Sequence, residues 1–200
     1  MNDGRALLRA RMSVRRNELD ARQRIEAAAG LLHSLEKLPE FMTDPRIAGY
    51  WAVRGELPLN LAVASLARRE QRYFLPVLGE SRRLRFGEYR DGTRLDNNRF
   101  GIPEPHVPTE DLHAPVDMDV ILLPLLAFDR MGRRLGTGGG WYDTSLAHLR
   151  DAPRPGTPLL VGIGYAFQEV DAVPPEPWDV DVDYIATDEE LIACRADDAA

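Results

Sequence analysis

The sequence predicts a three-layer α/β/α domain on a mostly parallel, mixed sheet of Rossmann-like type. Three observations carry that prediction. "RIAGYWAV" reads as a strand, "LPLNLAVASLARRE" as a helix and "RYFLPVL" as a second strand, an order that requires a parallel crossover. "MDVILLPLLAF" is an almost unbroken apolar run with the length of a central strand covered on both faces. "TPLLVGIGYAF" and "VDYIAT" then supply further strands.

From the N-terminus, Leu7, Leu8, Met12, Leu19, Ile25, Leu31, Leu32 and Leu35 recur at roughly helical spacing, so the first stretch is two helices or one broken helix. Arg5 and Arg9 lie one turn apart on the same face. The helix after the first strand tolerates Pro58 in its first turn. Turn signals "DG" and "NN" make the middle of the chain a hairpin-rich excursion. "DRMGRR" is a polar turn, and beyond the glycines behind it Tyr142, Leu146 and Leu149 share one helix face, with Asp143 in the first turn. "TDEELIACR" reads as a closing helix with Thr187 as N-cap and Glu190 completing a capping box. "VPPEPW" is a loop, and Trp178 within it a packing anchor.

A chain of 200 residues at 44% hydrophobic composition supports one domain, expected over 1–195, with 1–38 as a helical segment packed on it and 196–200 as a disordered tail. It has no apolar run of about 18 residues, and no apolar core behind the basic residues of its N-terminus, so neither anchor nor signal peptide is expected. These features predict a cytoplasmic protein with no membrane partner. A net charge of -7 argues against a nucleic-acid partner, although arginines concentrate in residues 1–24. Cys194 is the only cysteine and has no disulfide or thiolate-metal partner. His33, His106, His113 and His148 show no metal spacing. Lys37 is the only lysine, which excludes a mechanism that needs one elsewhere.

The chemistry concentrates in "RLGTGGGWYD", Arg134 to Asp143. Four glycines in five positions occur where a chain needs positive φ or where another group must touch its backbone. Freed amides in series form an anion-binding concavity. Phosphate is the obvious guest, with Arg134 as a bidentate partner and Asp143 placed to hold magnesium against phosphate oxygens. A Walker A loop is excluded because it needs lysine, and GxGxxG fails because Trp141 stands where its last glycine belongs. Spacing alone leaves a phosphate cradle, a methyltransferase GxGxG loop and a structural tight turn open.

"LLPLLAFDRMGRRLGTGGGWYD" resembles the signature of the 5-formyltetrahydrofolate cyclo-ligase family. "RALLRARM", "YWAVRGELPL", "RFGIPEP", "VGIGYAFQ" and "EPWDVDVDYIATDE" resemble other segments of that family, in its order along nearly the whole chain. The resemblance implies a ligase that uses ATP and magnesium to phosphorylate the formyl oxygen of 5-formyltetrahydrofolate. Nitrogen-10 of the folate then closes the ring to 5,10-methenyltetrahydrofolate, with ADP and phosphate released. Carried over by position, it implies ATP contacts from Arg5, Arg9, Arg134, Gly136, Thr137, Gly138, Gly139, Gly140, Trp141 and Tyr142. It places Arg9, Trp51, Glu56 and Thr137 to Trp141 near the folate, Arg134 and Glu56 at the chemistry, and Asp143 on the metal. Asp183 is the expected second metal acid, with Asp179 and Asp181 in competition.

Three departures from the family pattern accompany the match: Arg5 where lysine is usual, Gly139 where some relatives carry lysine, and Trp141 where tyrosine or phenylalanine is common. Oligomeric state is expected to be a monomer or a weak homodimer. Two other functions stay open at this point. A methyltransferase would leave Arg134 and Asp143 without roles, and a non-catalytic binder of folate or nucleotide would not explain the full set of acid and arginines.

Overall fold

The computed structural model describes residues 3–194; the expected tail at 196–200 lies outside them. Helix α1, Asp3–Glu18, and helix α2, Ala21–Leu35, are separate. The break is set by Asp20, whose carboxylate accepts from the Gln23 N–H at 2.8 Å while the Gln23 side chain accepts from the Asp20 N–H at 2.9 Å. A short helix α3, Pro39–Thr43, leads into strand β1, Arg46–Ala48, then helix α4, Asn60–Arg68, and strand β2, Arg72–Leu78. Strand β3, Leu84–Tyr89, returns antiparallel to β2, and β4, Leu95–Asn97, pairs with β5, Pro103–Pro105, as a separate hairpin. The "DG" signal is the turn after β3, with Gly92 at φ 81°.

The apolar run divides into β6, Val120–Pro124, and β7, Ala127–Phe128. Strand β8, Arg134–Leu135, pairs antiparallel with β7. Helix α5, Trp141–Ser145, strand β9, Leu159–Ile163, strand β10, Tyr184–Ala186, and strand β11, Leu191–Ala193, complete the described chain.

Seven strands form one sheet in the order β11-β10-β9-β6-β1-β2-β3. The five inner strands are parallel, and β3 and β11 close the two edges antiparallel. A mostly parallel, mixed α/β sheet is therefore present as the sequence predicts. Alternation along β6 explains why its run is apolar throughout. Val120 and Leu122 pack with Leu31 and Leu35 of α2 and Leu66 of α4, while Ile121 and Leu123 pack with Phe128, Leu146 and Leu149 on the other face. Each such side chain removed from water contributes about 1.5–3 kcal/mol. Among the described residues no helix is long and apolar enough to cross a membrane.

Two element assignments are corrected. "TDEELIACR" is not a helix but the turn and second strand of the β10–β11 hairpin. Thr187 Oγ1 accepts from the N–H groups of Glu189 at 3.1 Å and Glu190 at 2.9 Å, and the Thr187 N–H donates to the Glu190 carbonyl at 2.9 Å. A threonine hydroxyl that caps a helix serves a turn equally well, and pairing covers the edge of β10. The helix behind the glycines is shorter than its apolar spacing predicts. It stops at Ser145, whose hydroxyl donates to the Trp141 carbonyl and accepts from the Leu84 N–H, both at 2.7 Å. Leu146 and Leu149 still face the core, from the 3-10 turn beyond it.

Candidate active site

The chain leaves β1, crosses through α4 to β2 on one side, and later places β6 on the other side of β1. Ligands of open α/β sheets bind at the carboxyl ends of strands where the order reverses in this way. A hollow of about 240 Å³ lies there, walled by Tyr50 and Trp51 after β1, Pro76 near the end of β2, and Pro124 at the end of β6. It is smaller than the roughly 300–1,000 Å³ of sites that enclose a drug-sized ligand whole. Every sequence-predicted ATP and folate residue lines it, as does Asp143.

The glycine loop joins β8 to α5. Gly138 has φ 99° and Gly140 has φ 69°, where a side chain is strained. Within the described residues none of the backbone N–H groups from Gly136 to Gly140 donates a hydrogen bond to another part of the chain. Thr137, Gly138 and Gly139 are exposed. Arg9 braces the loop from α1, donating from Nε to the Gly136 carbonyl at 3.0 Å.

Arg134 is buried, at 7% exposure. Its guanidinium donates to the Val180 carbonyl and to Asp143 Oδ1, the latter at 2.9 Å. Asp143 Oδ1 also accepts from the Val180 N–H at 3.4 Å, which leaves the second carboxylate oxygen without a protein partner among the described residues.

Glu56 sits at the end of a strained turn, with Arg54 at φ 50° and Gly55 at φ 77°. Four side-chain hydrogen bonds hold that turn. Arg16 Nε donates to the Arg54 carbonyl at 3.0 Å, the Tyr165 hydroxyl to the Gly55 carbonyl at 3.2 Å, the Tyr50 hydroxyl to the Leu57 carbonyl at 2.7 Å, and the Val53 N–H to Glu56 Oε2 at 3.0 Å. Burial raises the Glu56 carboxyl above the ordinary glutamate range, against the opposing Val53 hydrogen bond and the nearby Arg16 and Arg54 charges. The Tyr142 hydroxyl is buried with no hydrogen-bond partner. Burial, and then the Glu56 charge, hold its pKa far above the ordinary tyrosine value, so it stays a proton donor.

Two predicted residues stand differently from expectation. Arg5 lines the hollow, but its fork is closed on Asp179, with contacts of 2.6 and 3.1 Å, and it donates to the Pro174 carbonyl at 2.9 Å. Asp183 is not brought to the hollow. Its side chain is 2% exposed and gripped by Arg154, with Nε to Oδ1 at 2.8 Å, and by the Leu160 N–H at 2.7 Å. Asp179 is the acid of "WDVDVD" that lines the hollow. No group of three His, Cys, Asp or Glu able to hold a metal occurs among the described residues.

Phe100 and Trp178 also line the hollow, beyond the residues that the sequence predicts for it. The Phe100 ring meets Trp141 edge-on at 6.3 Å, and Arg99 lies over both rings at 5.1 and 5.4 Å. The "RFGIPEP" motif was the available signal for Phe100. For Trp178 it was the "EPWDVDVDYIATDE" segment, although the sequence predicts a packing anchor there.

Free loop amides, a buried arginine and an aromatic wall at a strand switch point of an α/β sheet make a site suited to an anionic ligand beside a planar one. The family model for the 5-formyltetrahydrofolate cyclo-ligase family matches residues 1–188. The 5-formyltetrahydrofolate cyclo-ligase of Haemophilus influenzae is 32% identical over 178 residues, 88% of this chain and 93% of that protein. The Escherichia coli enzyme of the same name is 31% identical, covering 86% and 94%. The NMR structure of the Aquifex aeolicus 5,10-methenyltetrahydrofolate synthetase superposes with a TM-score of 0.81 at 29% identity, over 98% of this chain and 94% of that one. The chain belongs to the 5-formyltetrahydrofolate cyclo-ligase family and is an ATP-dependent ligase that forms 5,10-methenyltetrahydrofolate.

Proposed function

We propose that the hollow holds the terminal phosphates of ATP on the amides of Gly136 to Gly140 and the pterin of 5-formyltetrahydrofolate between Trp51 and Trp141. The run of free amides beside the buried Arg134–Asp143 pair carries this reading, because such amides are satisfied by an anion. Glu56 accepts hydrogen bonds from the pterin's amino and ring N–H groups. Tyr142, near enough to Glu56 and Arg134 to feel both charges, donates its unpartnered hydroxyl to the folate.

The formyl oxygen attacks the γ-phosphorus, the bond to the β-phosphate oxygen breaks, and ADP leaves. Nitrogen-10 then attacks the activated carbon and loses its proton, and phosphate departs with the former formyl oxygen. Arg134 stabilises the charge on the transferring group through the N–H groups it does not donate to Val180 and Asp143. The free oxygen of Asp143 fits a magnesium ion, which is commonly held by one or two carboxylates together with substrate phosphates. That ion, when bound, neutralises phosphate charge. Asp183, closed on Arg154, does not fit as its second ligand.

The test is appearance of the methenyl product by its near-ultraviolet absorbance when purified protein meets 5-formyltetrahydrofolate, ATP and magnesium. Product is expected only with ATP present, and Asp143→Ala should lower the rate about 100-fold or more, the scale of losing one preorganised group that stabilises transition-state charge. Full activity in that variant would remove Asp143 from the site.

A further inference from the structure

Trp178 is 56% exposed, yet the backbone that carries it is pinned on both sides. The Asp179 N–H donates to the Glu176 carbonyl at 3.0 Å, and the Glu176 N–H to Asp179 Oδ2 at 2.9 Å, closing a turn around the tryptophan. Arg5 of α1 grips Asp179 and Pro174 from one side. Arg150 donates to the Trp178 carbonyl at 3.0 Å. The next residue, Val180, is hydrogen-bonded through its carbonyl to Arg134 and through its N–H to Asp143. The loop is thus rigid and tied to the phosphate end of the hollow, while the indole on it lines that hollow without being packed away. A preorganised aromatic left open beside a phosphate site suits a planar heterocycle attached to that phosphate.

We infer that Trp178 is the stacking face for the purine base of the nucleotide, held in place by the turn that Arg5 and Arg150 brace. The inference rests on the proposed seating of the nucleotide on the glycine loop. It divides the aromatic residues of the hollow by ligand: Trp51 and Trp141 face the folate, and Trp178 faces the base.

Calorimetric titration with ATP and with inorganic tripolyphosphate tests it on wild type, Trp178→Ala and Trp178→Phe. Base–aromatic stacking predicts that Trp178→Ala weakens ATP binding by about 5- to 150-fold. Trp178→Phe should lose less, and tripolyphosphate, which has no base, should bind all three proteins equally. The KM for 5-formyltetrahydrofolate should stay at the wild-type value in both variants. Equal ATP affinity in wild type and Trp178→Ala would overturn the inference, as would a matching loss of tripolyphosphate affinity. Wild-type protein that binds neither anion would overturn the nucleotide site itself, whereas wild-type turnover beside an insensitive Trp178 would remove only the stacking role.

Discussion

Glu56 and Tyr142 show how single groups are tuned by where the fold leaves them. The Glu56 carboxyl is raised chiefly by burial, so it takes up a proton at a pH where an ordinary glutamate is still ionised. Pterin N–H groups need the ionised form, so the KM for 5-formyltetrahydrofolate should rise as pH falls through that elevated range. In Glu56→Gln the KM should be high and flat across the same range, measured by initial rates in a buffer series. The stability effect has the opposite sign. The folded chain binds the Glu56 proton more tightly than the unfolded chain, so this group's contribution to stability declines as pH rises through the raised range. Glu56→Gln should therefore melt no lower than wild type at neutral pH, by calorimetric scan. The Tyr142 hydroxyl has no protein partner to lose. Tyr142→Phe should leave the melting temperature unchanged while raising the folate KM about 2- to 13-fold, the value of one hydrogen bond of about 0.5–1.5 kcal/mol. An unchanged KM would return Tyr142 to a packing role.

At the level of elements, the glycine loop was legible because glycine in series is a strong statement about backbone, whereas the length of helix α5 behind it was not. Tyr142, Leu146 and Leu149 do point to one side, but a 3-10 turn presents Leu146 and Leu149 to the core as a helix would. Thr187 and Glu190 misled for a related reason: the same local hydrogen bonds close a hairpin, and what chose the hairpin was the open edge of β10, a strand held in the sheet by β9 from more distant sequence. The loop itself makes a sharp prediction. Gly138 at φ 99° cannot become alanine without strain, although an added Cβ would meet nothing closer than Arg9 Nε at 3.7 Å. Gly138→Ala should cost about 1–2 kcal/mol in stability and raise the KM for ATP more than that for folate, because the strain is relieved by turning amides out of the cradle. Steady-state kinetics with each substrate varied in turn would show the asymmetry.

The whole molecule decides which acids serve chemistry and which serve the fold. Asp179, Asp181 and Asp183 alternate in sequence, and the family resemblance pointed to the last as a metal ligand with the other two in competition. The sheet separates them. Asp179 ends a loop over the hollow, and Asp183 lies just before β10, where its N–H donates to the Leu160 carbonyl at 2.9 Å and its side chain accepts from the Leu160 N–H at 2.7 Å. Arg154 completes that contact from the segment before β9, and the Asp183 carbonyl accepts from the Cys194 N–H at 2.9 Å beyond β11. One aspartate thus ties three consecutive strands of the sheet edge together. Removing one partner of such a buried pair leaves an uncompensated charge and costs about 3–5 kcal/mol. Asp183→Ala should accordingly unfold at markedly lower denaturant concentration, yet what remains folded should need the same magnesium concentration for half-maximal activity as wild type. Asp143→Asn, which keeps a hydrogen-bond acceptor for the buried Arg134 guanidinium, should lose less stability than Asp183→Ala yet show little activity at any magnesium concentration. A magnesium requirement raised by Asp183→Ala in fully folded protein would restore Asp183 to the metal site and contradict the arrangement described for Arg154.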